Sequence, residues 1–168
     1  MRQIISILLE NETGALSRVV GLFSQRGYNI ENITAAPTED CTLSRITILT
    51  QSDKVEVERI TKQLHKLVNV IKVASLEDDS TGIVEREILF IKVLVLDHTQ
   101  RSEVKNLCDI FRAEIVDVTK DQYILQYVNT SAEVDRFIRA VSETVSDVVE
   151  TVRSGVCGIF RGDRSLRS

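Results

Sequence analysis

Ile4-Ile5-Ser6-Ile7-Leu8-Leu9, then Asn11-Glu12-Thr13-Gly14, then Leu16, Val19, Val20 and Phe23: this succession decides how the chain is read. The first six residues form an almost unbroken apolar run, the pattern of a strand buried on both faces. Asn11 to Gly14 is a turn or helix-start signal. The four apolar residues that follow have helical spacing, and Gly27 ends that helix.

The same logic carries on down the chain. Tyr28 to Ala36 reads as a second strand, and the turn Pro37-Thr38-Glu39-Asp40 leads into a third near Leu43 to Thr50. Ser52-Asp53 is a cap signal for a helix whose core face is Val57, Ile60, Leu64 and Leu67. Val70 to Leu76 closes the unit as a fourth strand. The polar run Glu77 to Gly82 is a linker signal. After it the pattern restarts. Ile88 to Leu96 is a strand, and Val104, Leu107, Cys108 and Phe111 mark a helix. Ile115 to Thr119 and Tyr123 to Val128 are strands joined at Lys120-Asp121. Val134, Phe137, Ile138 and Val141 mark another helix, and Val148 to Val152 a last strand.

Each half is therefore β-α-β-β-α-β. The expected fold class is α+β, with two tandem ferredoxin-like domains. The expected boundaries are a first domain over 1–77, a linker over 78–83 and a second domain over 84–168 with a basic C-terminal tail. A unit of roughly 75 residues buries little core by itself, so pairing with another unit is the natural remedy.

Composition narrows the function. The 168 residues are 43% hydrophobic and carry a formal net charge of −4. A mildly acidic chain without a basic face is a poor match to phosphate backbones. No apolar run reaches the roughly 18 residues of a membrane span. The N-terminus lacks a small-residue cleavage pattern, so neither a signal nor a transit peptide is expected, and the expected location is the cytoplasm. Cys41, Cys108 and Cys157 are odd in number and widely spaced, which suits three small buried or half-buried hydrophobes better than disulfides or a metal motif. His65 and His98 are too few and too far apart for a metal cluster. No catalytic set and no metal site is read, and no cofactor is expected on this chain.

One constellation suits a ligand. Asn11-Glu12-Thr13-Gly14-Ala15-Leu16 joins the first strand to the first helix. A helix N-terminus has unpaired N–H groups and a partial positive charge, which favour a carboxylate. Gly14 lacks a β-carbon and lets a ligand approach the backbone. Asn11 and Asn29 each offer a donor and an acceptor. Leu16 and Ile30 supply aliphatic surface. A free amino acid needs these three provisions together. The same residues have an ordinary reading as well: Asn11 and Thr13 cap the helix, Gly14 permits a tight turn and Asn29 starts a strand.

Residues 8–19 (Leu8 to Val19), 21–31 (Gly21 to Glu31) and 62–67 (Lys62 to Leu67) resemble the small, regulatory subunit of bacterial acetolactate (acetohydroxyacid) synthase. Ile110-Phe111-Arg112-Ala113 and Arg153-Ser154-Gly155 resemble that family's second half. The resemblance implies that the first domain is an ACT domain, a module that pairs through sheet edges and binds small effectors at the pair interface. It implies a homodimer through the ACT domains and a valine site on Asn11, Gly14, Ala15, Leu16, Asn29 and Ile30. It implies a partner, the large subunit, which holds thiamine diphosphate, Mg²⁺ and FAD. This chain is then expected to activate that subunit and to confer feedback inhibition by valine in branched-chain amino-acid biosynthesis. The alternative is a stand-alone ACT-type sensor serving a different enzyme or a transcription factor.

The second half departs from the first at Asp97-His98-Thr99-Gln100-Arg101, which has no glycine. Asp97 there opposes a ligand carboxylate, so the second domain is read as an assembly or docking module, or as plain dimer support. The basic tail, Arg161 to Ser168, is read as a solvated end or as a contact for an acidic partner.

Overall fold

The computed structural model describes residues 1–76 and 82–167. Two compact units emerge. One comprises Met1–Glu85 together with Val156–Ser168, and the other Arg86–Gly155.

The first unit contains strand β1 (Arg2–Glu10), helix α1 (Ala15–Gln25), strands β2 (Asn32–Pro37) and β3 (Leu43–Gln51), helix α2 (Lys54–Leu64) and strand β4 (Val70–Ser75). The sheet order is β2-β3-β1-β4, and every pairing is antiparallel. Strand periodicity sends Ile5, Ile7 and Leu9 to one face, level with Ile46 and Ile48 of β3. There they bury against Ala15, Val19 and Phe23 of α1 and Val57, Ile60 and Leu64 of α2. The intervening Ile4 faces the other way and is also buried, in a second cluster with Leu49, Leu76 and Val156. The reading of β1 as buried on both faces therefore holds, and the C-terminal segment supplies the cover on the side away from the helices.

That segment is where the domain expectation needs correction. Strand β9 (Cys157–Phe160) pairs with strand β5 (Ile83–Leu94), whose first residues belong to the first unit. The Thr34 hydroxyl donates to Val156 O at 3.0 Å, and Val156 N–H donates to Asn32 Oδ1 at 3.1 Å. The Arg45 guanidinium donates to Gly158 O at 3.0 Å and to Ser6 Oγ at 2.9 Å. Leu166 is only 4% exposed, and Arg167 pairs with Glu39. The second compact unit thus ends at Gly155 rather than 168, because apolar residues of the tail complete the first core. Arg161–Arg167 is anchored, not frayed. Of the expected linker, residues 78–81 lie outside the described residues, and Ile83 already begins β5.

A smaller correction concerns the second strand. It starts at Asn32, not Tyr28. Gly27 takes φ +70°, and Tyr28 N–H donates back to Phe23 O at 3.0 Å, so the helix exit uses these residues. Tyr28 and Ile30 pack on the helix-side core from the loop.

The second unit repeats the plan. It contains the rest of β5, helix α3 (His98–Phe111), strands β6 (Glu114–Val118) and β7 (Gln122–Asn129), helix α4 (Ser131–Thr144) and strand β8 (Asp147–Arg153). The order β6-β7-β5-β8 matches that of the first sheet. Leu89, Ile91, Val93 and Leu125 meet Val104, Cys108, Val134, Phe137 and Val141 in its core. Glu87 is buried there at 2% exposure, but it is satisfied by Arg153 at 2.5 Å and by the Ser131 hydroxyl at 3.0 Å. Both units are ferredoxin-like and the class is α+β.

Candidate functional site

The turn between β1 and α1 differs from the other helix starts. In α2 the Asp53 carboxylate accepts from Glu56 N–H at 2.8 Å within a full capping box. In α3 Asp97 accepts from Gln100 N–H at 2.8 Å. In α4 Thr130 accepts from Glu133 N–H at 3.4 Å. Helix α1 begins on Gly14 at φ +84°, ψ −5°, with no side-chain cap. The capping alternative for Asn11 and Thr13 is therefore not realised. Gly14 is exposed, and a β-carbon there would meet only the Arg18 guanidinium, at 3.8 Å. Ala15 N–H already donates to Glu12 O at 3.1 Å, but the next N–H groups of the first turn of α1, those of Leu16 and Ser17, lack the side-chain acceptor that the other three helix starts have, and the glycine leaves the approach open.

Asn11 is tied down. Its backbone N–H donates to Thr42 O at 2.7 Å, and its side-chain amide donates to Cys41 O at 3.0 Å. One amide donor is thus in use, bracing the loop against the turn before β3. Hydrogen bonds from the Thr42 hydroxyl and backbone hold the Asp40 carboxyl below its ordinary pKa in that same turn. Ala15 is buried in the core, whereas Leu16 is 45% exposed. Asn29 is exposed, and its backbone carbonyl accepts from the Thr50 hydroxyl at 2.6 Å. Ile30 is half-buried against the core.

These six residues do not all meet within one chain. Glu10 pairs with Leu43, beside Asn11, whereas the Asn29 carbonyl is held by Thr50, which pairs with Gln3. Seven steps along β1 separate those two positions, roughly 20 Å. Asn11, Gly14, Ala15 and Leu16 form one group at one end of β1. Asn29 and Ile30 form a second group near the other end. The open groove on α1, lined by Ser17, Arg18, Gly21, Leu22, Gln25 and Leu67, includes none of the six.

Sequence reading missed one member of this neighbourhood. Asn69, in the loop between α2 and β4, is 6% exposed. Its side chain bonds Arg18, Glu10 and Glu12. Nothing in Leu67-Val68-Asn69-Val70 signals that role, because its partners lie more than fifty residues upstream.

The corresponding turn of the second unit is closed. Asp97 occupies the α3 start, and Gln100 Oε1 in return accepts from Leu96 N–H at 3.0 Å. The Gln100 N–H that a ligand carboxylate would use there is taken by Asp97, whose own charge opposes such a ligand.

Known relatives complete the description. The acetolactate synthase isozyme 3 small subunit of Escherichia coli is 52% identical over 167 residues, covering 99% of this chain and 100% of that protein. The chain belongs to the acetolactate synthase small-subunit family. Residues 5–72 match the AHAS small subunit-like ACT domain, and residues 86–162 match the family described as small subunit of acetolactate synthase. The acetolactate synthase small subunit of Haemophilus influenzae is 51% identical over 166 residues, covering 99% of each chain. The crystal structure of the acetolactate synthase small subunit from Thermotoga maritima superposes with a TM-score of 0.87 at 32% identity, covering 98% of this chain and 99% of that one. The small-subunit family thus accounts for both halves of the chain, and its ACT domain contains the uncapped α1. Among the described residues no helix is long and apolar enough to cross a membrane.

Proposed function

We propose that this chain is the regulatory subunit of an acetolactate synthase and that its ACT domain binds valine. The observation that carries the reading is the start of α1: a glycine in the left-handed region, no side-chain cap, and Asn11 braced beside it. An amino-acid carboxylate supplies the side-chain acceptor which this helix start lacks, at the N–H groups that follow Ala15, whose own N–H is held by Glu12 O. Asn11 and Asn29 offer donors and acceptors to the polar end of the ligand, and Leu16 and Ile30 offer aliphatic surface to its side chain.

Because the two groups lie roughly 20 Å apart along β1, one effector cannot touch both in a single chain. A homodimer resolves this if the second copy brings its Asn29 and Ile30 to the first copy's Gly14. Strand β2 is an edge strand whose Ala35, Ala36 and Pro37 are exposed, so the sheet has an unpaired margin for such a pairing.

The large subunit is the proposed partner and the holder of thiamine diphosphate, Mg²⁺ and FAD. This chain raises its activity. Inhibition then follows from linkage: valine favours the form of the complex that turns over slowly, by as much as its affinity differs between the two forms. The pathway served is branched-chain amino-acid biosynthesis, in the cytoplasm. The test is reconstitution. Acetolactate formation by a purified large subunit is measured alone, with this chain, and with this chain plus valine. The expected result is activation by the chain and loss of that activity with valine. An unchanged rate on adding the chain rules out the regulatory role.

A further inference from the structure

The β1–α1 turn is held by a polar cluster outside the expected site. Asn69 lies at its centre, 6% exposed. Its amide oxygen accepts from Arg18 Nη1. Its amide nitrogen donates to Glu10 Oε2 at 3.2 Å and to Glu12 Oε2 at 3.1 Å. Its backbone carbonyl accepts from Glu10 N–H at 2.9 Å. One side chain therefore binds both acidic residues that flank Asn11, and also the arginine that lies beside Gly14.

Only a primary amide can do this at that place. It presents an acceptor to the guanidinium and two donors to the carboxylates at the same time. An aspartate has no donor and would bring a third negative charge to two glutamates. An alanine would leave the cluster unbridged. Asn69 is the buried centre of this cluster, Glu10 is half-buried, and Glu12 and Arg18 reach it from the surface; such a network fixes geometry when its buried member is satisfied and loses it when that member is removed.

We infer that Asn69 is a positioning residue for the effector: through Glu10, Glu12 and Arg18 it fixes the loop that presents Asn11 and Gly14. This rests on the effector reading above, but it assigns a role to a different loop, the one joining α2 to β4. The ligand need not touch Asn69. The loop's shape is what reaches the ligand.

The experiment uses the full chain and two readouts. Calorimetry with L-valine measures affinity. Amide hydrogen exchange measures the opening of residues 10–18. Asn69→Asp and Asn69→Ala are each expected to weaken valine binding about tenfold or more, the size of a lost bond to charged groups. Exchange in residues 10–18 should rise about tenfold while α2 and β3 keep their protection. Adding Glu12→Gln to Asn69→Asp removes a repelling charge and restores a donor, so most of the affinity should return.

Normal exchange in residues 10–18 of both Asn69 variants overturns the inference, whatever valine does. If exchange rises throughout the first unit, Asn69 is a general fold residue and the inference also fails. Failure of Glu12→Gln to restore affinity removes the charge argument on which it stands. Wild-type chain that binds no branched-chain amino acid defeats the proposed function and this role together. Tight binding by wild type with unaltered binding by both variants defeats this role alone.

Discussion

Gly158 lies so close to Leu76 that a β-carbon at position 158 would come within 2.9 Å of Leu76 Cδ1. This contact seals the face of the first sheet that the helices do not cover, where Ile4, Leu49 and Val156 are buried. Leu76 is itself buried, so it has little room to yield. Gly158→Val should therefore cost about 1–3 kcal/mol through overpacking. Differential scanning calorimetry would show it as a lower melting temperature of the first unit, with the second unit unaffected.

Removal of residues 156–168 should have a larger effect in the same direction. Val156 and Leu166 are buried, and each such side chain is worth about 1.5–3 kcal/mol when removed from water. Ordering the tail offsets part of that gain. A chain ending at Gly155 should melt about 10 °C or more lower in its first unit and expose apolar surface to a dye such as ANS. A melting temperature equal to that of the full chain would mean that the tail contributes nothing to the first core.

The thiols give a simple check on the core of the second unit, where the expectation of burial holds for Cys108 but not for the exposed Cys41 and Cys157. Burial pushes the Cys108 thiol up to about 11, and nearby Asp109 adds to the shift, whereas Cys41 and Cys157 are exposed. At pH 8 in native conditions a thiol reagent should label Cys41 and Cys157 quickly and Cys108 only after denaturant is added. The linkage has a definite sign. The folded pKa is raised above the ordinary value of 9.0, so the neutral buried thiol stabilises fully below about pH 9 and that contribution disappears as pH rises towards 11. Rapid native labelling of Cys108 would contradict the packing described for α3.

In the second unit Arg153 joins Glu87 at 2.5 Å and Asp135 at 2.6 Å. Burial acts to lower the Arg153 pKa, but hydrogen bonds to Asp135 and Glu87 outweigh it and raise the value. Arg153→Met should leave the buried Glu87 side chain without its guanidinium partner. Breaking a buried pair costs about 3–5 kcal/mol, and partial exposure of Arg153 reduces this to about 2–3 kcal/mol. Arg153→Lys should recover a fraction, because it restores charge without the two-pronged geometry. Urea denaturation of the three proteins would rank them wild type, Lys, Met.

Local periodicity made most of the fold legible. Ile5, Ile7 and Leu9, followed by helical spacing at Val19 and Phe23, specify a strand and the helix that covers it. The same pattern near Leu89 to Val93 specifies the second copy. What remained hidden was long-range. The tail's Val156, Gly158 and Phe160 lie next to an eye-catching run of arginines, and only the folded chain reveals that they close the first core. Asn69 gives no local sign because its amide serves Glu10, Glu12 and Arg18 from across the unit. Gly14 was legible as a backbone device, and its φ of +84° agrees. That Asn29 lies far from it along β1 follows from strand register, which no single segment encodes.

That separation supports the most discriminating prediction. If each effector site combines Gly14 of one chain with Asn29 of a second copy, the two residues can be damaged separately and the site rebuilt by mixing. Gly14→Asp puts a carboxylate where the ligand carboxylate belongs, and aspartate tolerates the left-handed backbone better than most residues. Asn29→Ala removes the amide, while the backbone carbonyl that Thr50 holds is retained. Each variant alone should bind no measurable valine. A refolded one-to-one mixture should form half of its dimers from unlike chains, and a two-fold dimer of that kind has one site with both lesions and one with none. Equilibrium dialysis of the mixture should then recover about a quarter of the wild-type sites, at wild-type affinity. A mixture that binds no valine, although mass spectrometry shows mixed dimers, would place both residues of each site in the same chain. That outcome contradicts the register, because roughly 20 Å of β1 separates the two positions within one molecule.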